Sequence, residues 1–406
     1  MKSLVLGLGA AGDKCAINLV EKGIVDINDV KLINSTLKDV PTKYKEYALR
    51  ISDDQQGAAQ ERRRGKEMAI EAIKTGRLKL DGICEPQHEK VIILTSLSGG
   101  TGSGSSVVIA KYLKDVVGIP VEIIGMVGFS DEGVRSLRNT IEFCQELEED
   151  YIIQLIRNDS FLAKASGNRI LAEQNANDAI ARKILIGSGD MIHESIQNID
   201  DMDLLKLETT TGYKMVEHIP VHEKIKSHEQ FNYLLKNALD STTSVESDSK
   251  GMKRLGVIFN LSRQSQEFID YSFNPIRDRL GIPYEIFTHV NAMESGKEWI
   301  SFIATGLKMP IDSIKSIYDE YQRQTDLVDT DSDSFFEEIR GLRGAAADNM
   351  FDMNTDRQLN SGSKDAFFSA VEKQPRRSAR EDEEEPKPQV VRNPRRTKED
   401  FLNSEW

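Results

Sequence analysis

The chain has 406 residues, a formal net charge of −13, and 39% hydrophobic against 29% charged residues, the balance of a globular protein long enough for two ordinary domains and a tail. An acidic balance argues against tracking nucleic acid with the folded surface, because neutralising phosphates takes clustered Lys and Arg. The three cysteines, Cys15, Cys84 and Cys144, are far apart and lack His or Cys neighbours at ligand spacing, which argues against a disulfide framework or zinc site. Apolar runs are short and interrupted, so no transmembrane segment is expected and the cytoplasm is the expected location.

The opening Met1-Lys2-Ser3-Leu4-Val5-Leu6-Gly7 reads as a first strand rather than a leader. Leu4 to Leu6, Val30 to Asn34, Lys90 to Ser96, Val121 to Val127 and Tyr151 to Ile156 are β-rich runs separated by helix-length segments, a pattern that predicts a parallel α/β sheet. Ligands of such sheets bind outside the carboxyl ends of the strands. A long helix is expected over residues 168–187, then a polar segment. Strand signals return over residues 254–261, 284–290 and 299–305 as a second, smaller α/β domain. Ile311, Ile314, Ile317, Tyr318 and Tyr321, then Phe335, Ile339 and Leu342, recur at helical spacing and are expected to close that domain.

From about residue 354 the apolar content collapses. Arg pairs there alternate with Glu381-Asp382-Glu383-Glu384-Glu385 and prolines, a composition that cannot bury enough surface to fold alone. The tail ends in Phe401-Leu402-Asn403-Ser404-Glu405-Trp406, which reads as an anchoring peptide. The expected divisions are residues 1–165 (first α/β domain), 166–188 (central helix), 189–253 (loop and connecting segment), 254–350 (C-terminal α/β domain) and 351–406 (charged tail).

Chemistry concentrates in Ser98-Gly99-Gly100-Thr101-Gly102-Ser103-Gly104, directly after the run Val91-Ile92-Ile93-Leu94-Thr95-Ser96. A strand, a tight loop and a helix starting near Ser105 would aim free N–H groups at one point, where an anion belongs. No lysine follows at P-loop spacing, so backbone and hydroxyls must hold the phosphate. Gly7-Leu8-Gly9-Ala10-Ala11-Gly12 satisfies the dinucleotide fingerprint. An NAD enzyme, however, wants an acid after the second strand, where Asn34-Ser35-Thr36 stands instead, and it would leave residues 98–104 without a task.

Together these loops resemble the tubulin and FtsZ superfamily of polymerising GTPases, whose Ser-Gly-Gly-Thr-Gly-Ser-Gly signature residues 98–104 match in full. Residues 7–14, with Gly9, Ala10, Ala11 and Lys14, resemble the first phosphate loop, residues 33–36 with Asn34 the second, Gly57-Ala58-Ala59-Gln60 the third, and residues 129–135 the fifth. Arg157-Asn158-Asp159 resembles the segment facing sugar and base, and Ala176-Asn177-Asp178 the central helix, whose asparagine reads guanine. Asn198-Ile199-Asp200-Asp201-Met202-Asp203 repeats the Asn-x-Asp-x-x-Asp catalytic loop, which in the family points into the next subunit. Phe302 to Leu307 resembles a strand end of the C-terminal domain, so the resemblance runs to about residue 325.

The resemblance implies a GTP/GDP-binding protein that assembles head to tail and hydrolyses GTP between subunits. Residues 98–104 would hold phosphates, and Glu132, Arg135, Asn158, Asn177 and Asp178 the nucleoside. Asp200 and Asp203 would be catalytic with Asn198 positioning them, and Mg2+ would ride on the nucleotide without protein ligands. Ala10, Ala11, Ala58 and Ala59 stand where glycine is frequent, which is tolerable while φ stays negative. Thr36 replaces an aspartate, with Asp39 a substitute, and Arg135 comes one residue early. These departures favour the TubZ or phage tubulin-like branch, which would move plasmid or phage DNA through a protein adaptor bound by the tail, where Arg376-Arg377, Arg380, Arg392 and Arg395-Arg396 stand. Alternatives are an FtsZ-type division protein and a nucleotide-bound scaffold that does not hydrolyse.

Overall fold

β-Branched runs bounded by glycine and polar turns become strands, and the segments between them become helices lying on the sheet. The computed structural model describes residues 2–53, 56–146, 150–192, 195–197, 199–247, 250–291 and 296–310, together with Ser313, Ser316, Asp319 and Arg323. The described residues all fall in one compact unit. Asn198, Phe335, Ile339, Leu342, the tail and its terminal peptide lie outside the described residues, as do Ile311, Ile314, Ile317, Tyr318 and Tyr321.

In chain order the elements are β1 (Ser3–Leu8), α1 (Gly9–Glu21), β2 (Val30–Asn34), β3 (Ala48–Arg50), α2 (Arg62–Lys74), β4 (Lys90–Ser96), α3 (Gly100–Tyr112), β5 (Val121–Val127), α4 (Val134–Glu146), β6 (Ile152–Arg157), α5 (Asn158–Lys164) and α6 (Arg169–Ser188). They continue with β7 (Ser195–Gln197), α7 (Asp201–Thr209), β8 (Gly212–Val221), α8 (His228–Asp240), β9 (Arg254–Asn260), α9 (Arg263–Gln266), α10 (Asn274–Leu280), β10 (Glu285–Asn291) and β11 (Glu298–Leu307). The strands form one 11-stranded sheet in the order β3-β2-β1-β4-β5-β6-β8-β11-β9-β10-β7. From β3 to β8 neighbours run parallel, whereas β11 is antiparallel to both β8 and β9. The α/β class expected from the alternating pattern is the one found.

One core cluster runs from Leu4, Leu6 and Ile93 on β1 and β4 through Tyr112 and Ile153 to Phe231, Val257 and Phe302. A second lies under α1 and α6, with Val5, Leu94, Ile124, Phe161, Ala176 and Ile180. Both faces of the parallel strands are therefore covered, as their continuous apolar runs require.

β8 and α8 sit inside residues 189–253, which the sequence pattern reads as a connecting segment. Lys214, Glu217 and Pro220 break the alternation that marks a strand, yet Lys214 is buried in a closed ring of charges. Its Nζ lies 3.0 Å from Glu122 Oε1 and 2.6 Å from Glu208 Oε2. Lys90 Nζ pairs with the same two carboxylates, and Gln154 Nε2 donates to Glu122 Oε1 at 2.6 Å. Burial opposes the charge on Glu122, but Lys214 and Lys90 outweigh it and hold the carboxyl below its ordinary value. Removing one member leaves buried charge uncompensated, so Lys214→Ala is expected to lower stability by about 3–5 kcal/mol in urea denaturation. A loss under about 0.5 kcal/mol, the scale of an ordinary surface substitution, would mean the ring contributes nothing.

Candidate nucleotide site

β1 and β4 are adjacent and parallel, so α1 and α3 leave the same edge of the sheet. Neither N-cap, Leu8 or Gly99, supplies a side-chain hydrogen bond, and neither first turn contains an acidic residue. The two helices thus bring uncapped N–H groups and positive dipole ends to one place, the arrangement that receives an anion. They meet closely. Gly9 has φ +72°, and a Cβ built on it would lie 3.0 Å from the amide nitrogen of Gly102.

Helix α3 begins at Gly100, five residues ahead of the expected start at Ser105, and the reason is packing. A Cβ on Gly100 would lie 2.6 Å from the backbone nitrogen of Glu61, and one on Gly102 2.7 Å from the carbonyl of Leu8. On Gly104 a Cβ would meet the carbonyl of Arg62 and lie 2.8 Å from the nitrogen of Lys66. These three glycines let α3 sink against α2 and β1. Gly99 differs, because a Cβ there would meet nothing within 4 Å.

The hydroxyls arrange this turn. Ser103 donates to the carbonyl of Gly99, Ser98 Oγ lies 2.9 Å from Ser96 Oγ, and Thr101 Oγ1 lies 3.0 Å from Ser35 Oγ. Asn34 sits one layer back: its Oδ1 accepts from the Ser35 amide at 2.8 Å, and its Nδ2 donates to Asp13 Oδ2 at 2.7 Å. Asp13, not singled out in the sequence, is buried with Oδ1 unpartnered. Burial pushes its carboxyl up to about 8, against the Asn34 hydrogen bond and with help from Asp39.

A carboxyl raised from 3.8 to about 8 contributes stability that is full below its unfolded value and is lost as pH rises through the folded one. Stability is therefore expected to fall between about pH 4 and pH 8 from this group, and Asp13→Asn should flatten that fall. Denaturation midpoints of both proteins across that range check it; parallel curves would remove Asp13 as the cause.

In the third loop Gly57 has no close neighbour on its Cβ side beyond Ala59 N at 3.9 Å. Ala10 and Ala11 lie in the first turn of α1, and these and Ala58 keep negative φ. Ala59 does not: its φ is +50°, followed by Gln60 at +61°. The expectation of negative φ fails there because α4 holds the turn from outside. Arg135 Nη1 donates to the Ala59 carbonyl at 3.2 Å, and Asn139 Nδ2 reaches the carbonyls of Gln60 and Ser98, each at 2.8 Å. Asn139 is thus a second residue that sequence missed, since a lone amide inside a helix carries no motif.

Several side chains expected on the nucleoside have partners in the protein. Glu132 folds back, accepting from the Phe129 amide at 3.2 Å and from Ser136 Oγ at 2.6 Å. Asp178 faces α1, with Asn18 Nδ2 at 3.2 Å and Lys22 Nζ at 3.1 Å. Lys14 is exposed, with Glu173 at 3.4 Å. Two amides differ: Asn158 Oδ1 is buried without a hydrogen bond, and half-buried Asn177 makes none. Amides that offer both donor and acceptor suit a purine edge.

The acidic turn lies elsewhere. α6 begins beside the fifth loop, where Arg169 pairs with Asp131 and stacks over Phe129 at 5.0 Å. Its 20 residues carry the chain about 30 Å away. Beyond it Asp200 caps α7, its Oδ1 accepting from the Asp203 amide at 2.8 Å. Asp203 stands 3.6 Å from Lys206, and buried His289 Nδ1 lies 3.3 Å from the Ile199 nitrogen, anchoring the turn. Asp200 and Asp203 have their described partners within α7, and Glu208 at the far end of that helix pairs with Lys90 at the start of β4, the end opposite residues 98–104.

An α/β sheet with two uncapped helix ends over glycine-rich loops is an arrangement suited to receiving a phosphate group. Residues 3–166 match the Tubulin/FtsZ family, GTPase domain. CetZ2, a tubulin-like protein of Haloferax volcanii, is 28% identical over 215 residues, 47% of this chain and 55% of that protein; the chain thus spans about half the length of the curated relatives it matches. In fold it resembles CetZ2 in a GTPγS-bound protofilament, with TM-score 0.65, 19% identity and coverage of 81% of this chain and 100% of that one. It also resembles TubZ of Clostridium botulinum phage c-st, with TM-score 0.62, 16% identity and coverage of 80% and 99%. Among the described residues no helix is long and apolar enough to cross a membrane.

Proposed function

We propose that this protein binds GTP at the ends of α1 and α3, assembles head to tail, and hydrolyses GTP where the Asp200–Asp203 turn of one copy meets the phosphates held by the next. The observation that carries this reading is the place of the Asp200–Asp203 turn, beyond the 20-residue α6 that starts beside the fifth loop, which favours a second copy as the source of the groups that act on a γ-phosphate. Repetition of such a heterologous contact makes a filament rather than a closed ring. The protofilament form of CetZ2 supports it.

In this reading Gly99 leaves room for phosphate, and the N–H groups of residues 100–102 bind it. Asn158 and Asn177 hold the base and sugar. Asp203 orients the attacking water and takes its proton, the positioning role that phosphoryl transfer leaves to protein groups. Among the described residues no three His, Cys, Asp or Glu side chains converge to hold a metal ion; Mg2+ carried by the phosphates would neutralise their charge. The cargo is plasmid or phage DNA, reached through a protein adaptor that binds the basic pairs of the tail.

A scaffold that binds nucleotide without hydrolysing it is the second reading, favoured by the use of Asp200 as a helix cap. Phosphate release measured against protein concentration, with pelleting in parallel, separates the two. A shared threshold supports hydrolysis between subunits, whereas pelleting without release supports the scaffold.

A further inference from the structure

The buried ring of Lys90, Glu122, Lys214 and Glu208 joins parts of the molecule that the proposed reaction must coordinate. Lys90 and Glu122 stand at the starts of β4 and β5, whose other ends launch residues 97–104 and the fifth loop. Lys214 belongs to β8, and Glu208 to the last turn of α7, the helix that Asp200 caps and whose first turn carries Asp203. Glu208 is fully buried. Its Oε2 accepts from Lys214 at 2.6 Å and from Lys90, while its Oε1 has no partner.

The carboxylate also faces α6 at Gly187, which leaves it room. A Cβ built on Gly187 would lie 2.8 Å from Glu208 Oε2 and 2.9 Å from Oε1. The base of the phosphate-loop strands, the end of the long helix and the end of α7 therefore meet on one carboxylate. Asp203 lies five residues before Glu208 on the same helix, about 8 Å along its axis, so a shift at Glu208 is carried rigidly to the acidic turn.

We propose that Glu208 is a positioning residue: held by Lys90 and Lys214 and spaced by Gly187, it sets the register of α7 and hence the place of Asp203 for hydrolysis in the next subunit. It touches no nucleotide. The inference rests on the proposed function above.

The test is Gly187→Ala, which keeps every charge, favours helix intrinsically and pushes on the Glu208 carboxylate. Wild type, Gly187→Ala and Gly187→Ala/Glu208→Asp, full-length, are assayed for GTP affinity, pelleting and turnover within the polymer. Expected is a fall of at least about tenfold in kcat for Gly187→Ala with KM and GTP affinity unchanged, recovered in the double variant because the shorter acid makes room. Unchanged turnover in Gly187→Ala beside an active wild type would overturn the positioning role alone. Turnover and affinity falling together, or a double variant no better than the single, would also overturn it, since both indicate general disruption. A wild type without polymer-linked turnover would overturn both this inference and the function on which it rests.

Discussion

Asp203→Ala is expected to lower polymer-linked GTP turnover by about 10²–10⁴-fold, the range for loss of a positioned proton acceptor, and to leave GTP affinity unchanged. The carboxylate is half-buried on the first turn of α7, with Lys206 at 3.6 Å as its partner. It carries no capping bond, so its loss should cost the helix little. Asp200 is the contrasting case, because its Oδ1 accepts from the Asp203 amide and removing it costs about 1 kcal/mol of cap. Asp200→Asn keeps a good cap while removing the charge, so it reports the electrostatic role alone. Turnover in Asp203→Ala equal to wild type would leave the turn as a helix end and nothing more.

Gly99→Asp and Gly104→Ala are expected to fail in opposite ways, although they stand in one motif. Gly99 has φ −78° and ψ 162° and is the N-cap of α3, a conformation that Asp adopts readily. A Cβ there would meet nothing within 4 Å. Gly99→Asp should therefore fold and gain a few tenths of a kcal/mol as a better cap. Its carboxylate would occupy the anion position, and GTP affinity should fall by about 100-fold or more, roughly 3 kcal/mol.

At Gly104 an added methyl would press on the α2 backbone at Arg62 and Lys66, which cannot move as a flexible side chain would. Overpacking of up to about 3 kcal/mol, less about 1 kcal/mol of helix propensity, predicts a net loss near 2 kcal/mol. Urea midpoints and nucleotide titrations on both variants check the pair. Equal stability losses would show that the motif has a single, structural purpose.

This division of labour shows where the sequence was legible and where it was not. The runs that became β1, β2, β4, β5, β6, β9, β10 and β11 are apolar and bounded by turn residues, so local pattern suffices for them, and α6 has an uninterrupted helical stretch. β3 and β7 are three residues each, too short to carry a period. β8 was hidden because Lys214 is apolar in burial but charged in kind, and its partners Glu122 and Glu208 are remote in sequence. The loops of the site were recognisable because their glycines are local requirements. Which neighbours hold the side chains was not: Glu132 accepts from Phe129 and Ser136, Asp178 meets Asn18 of α1 and Lys22 at its end, and Asn139 donates to the carbonyls of Gln60 and Ser98, the last two through contacts remote in sequence.

Mixing Asp203→Ala with Gly99→Asp tests the division of the site between copies most directly. Each variant alone keeps one half of the site and should be inactive. In a 1:1 mixture, contacts that pair the intact cradle of one variant with the intact acidic turn of the other should hydrolyse GTP, at about a quarter of the wild-type rate if copies mix at random. Turnover in the mixture with none in the separate proteins is the predicted result; a mixture as inactive as its components would contradict a site completed by a second copy.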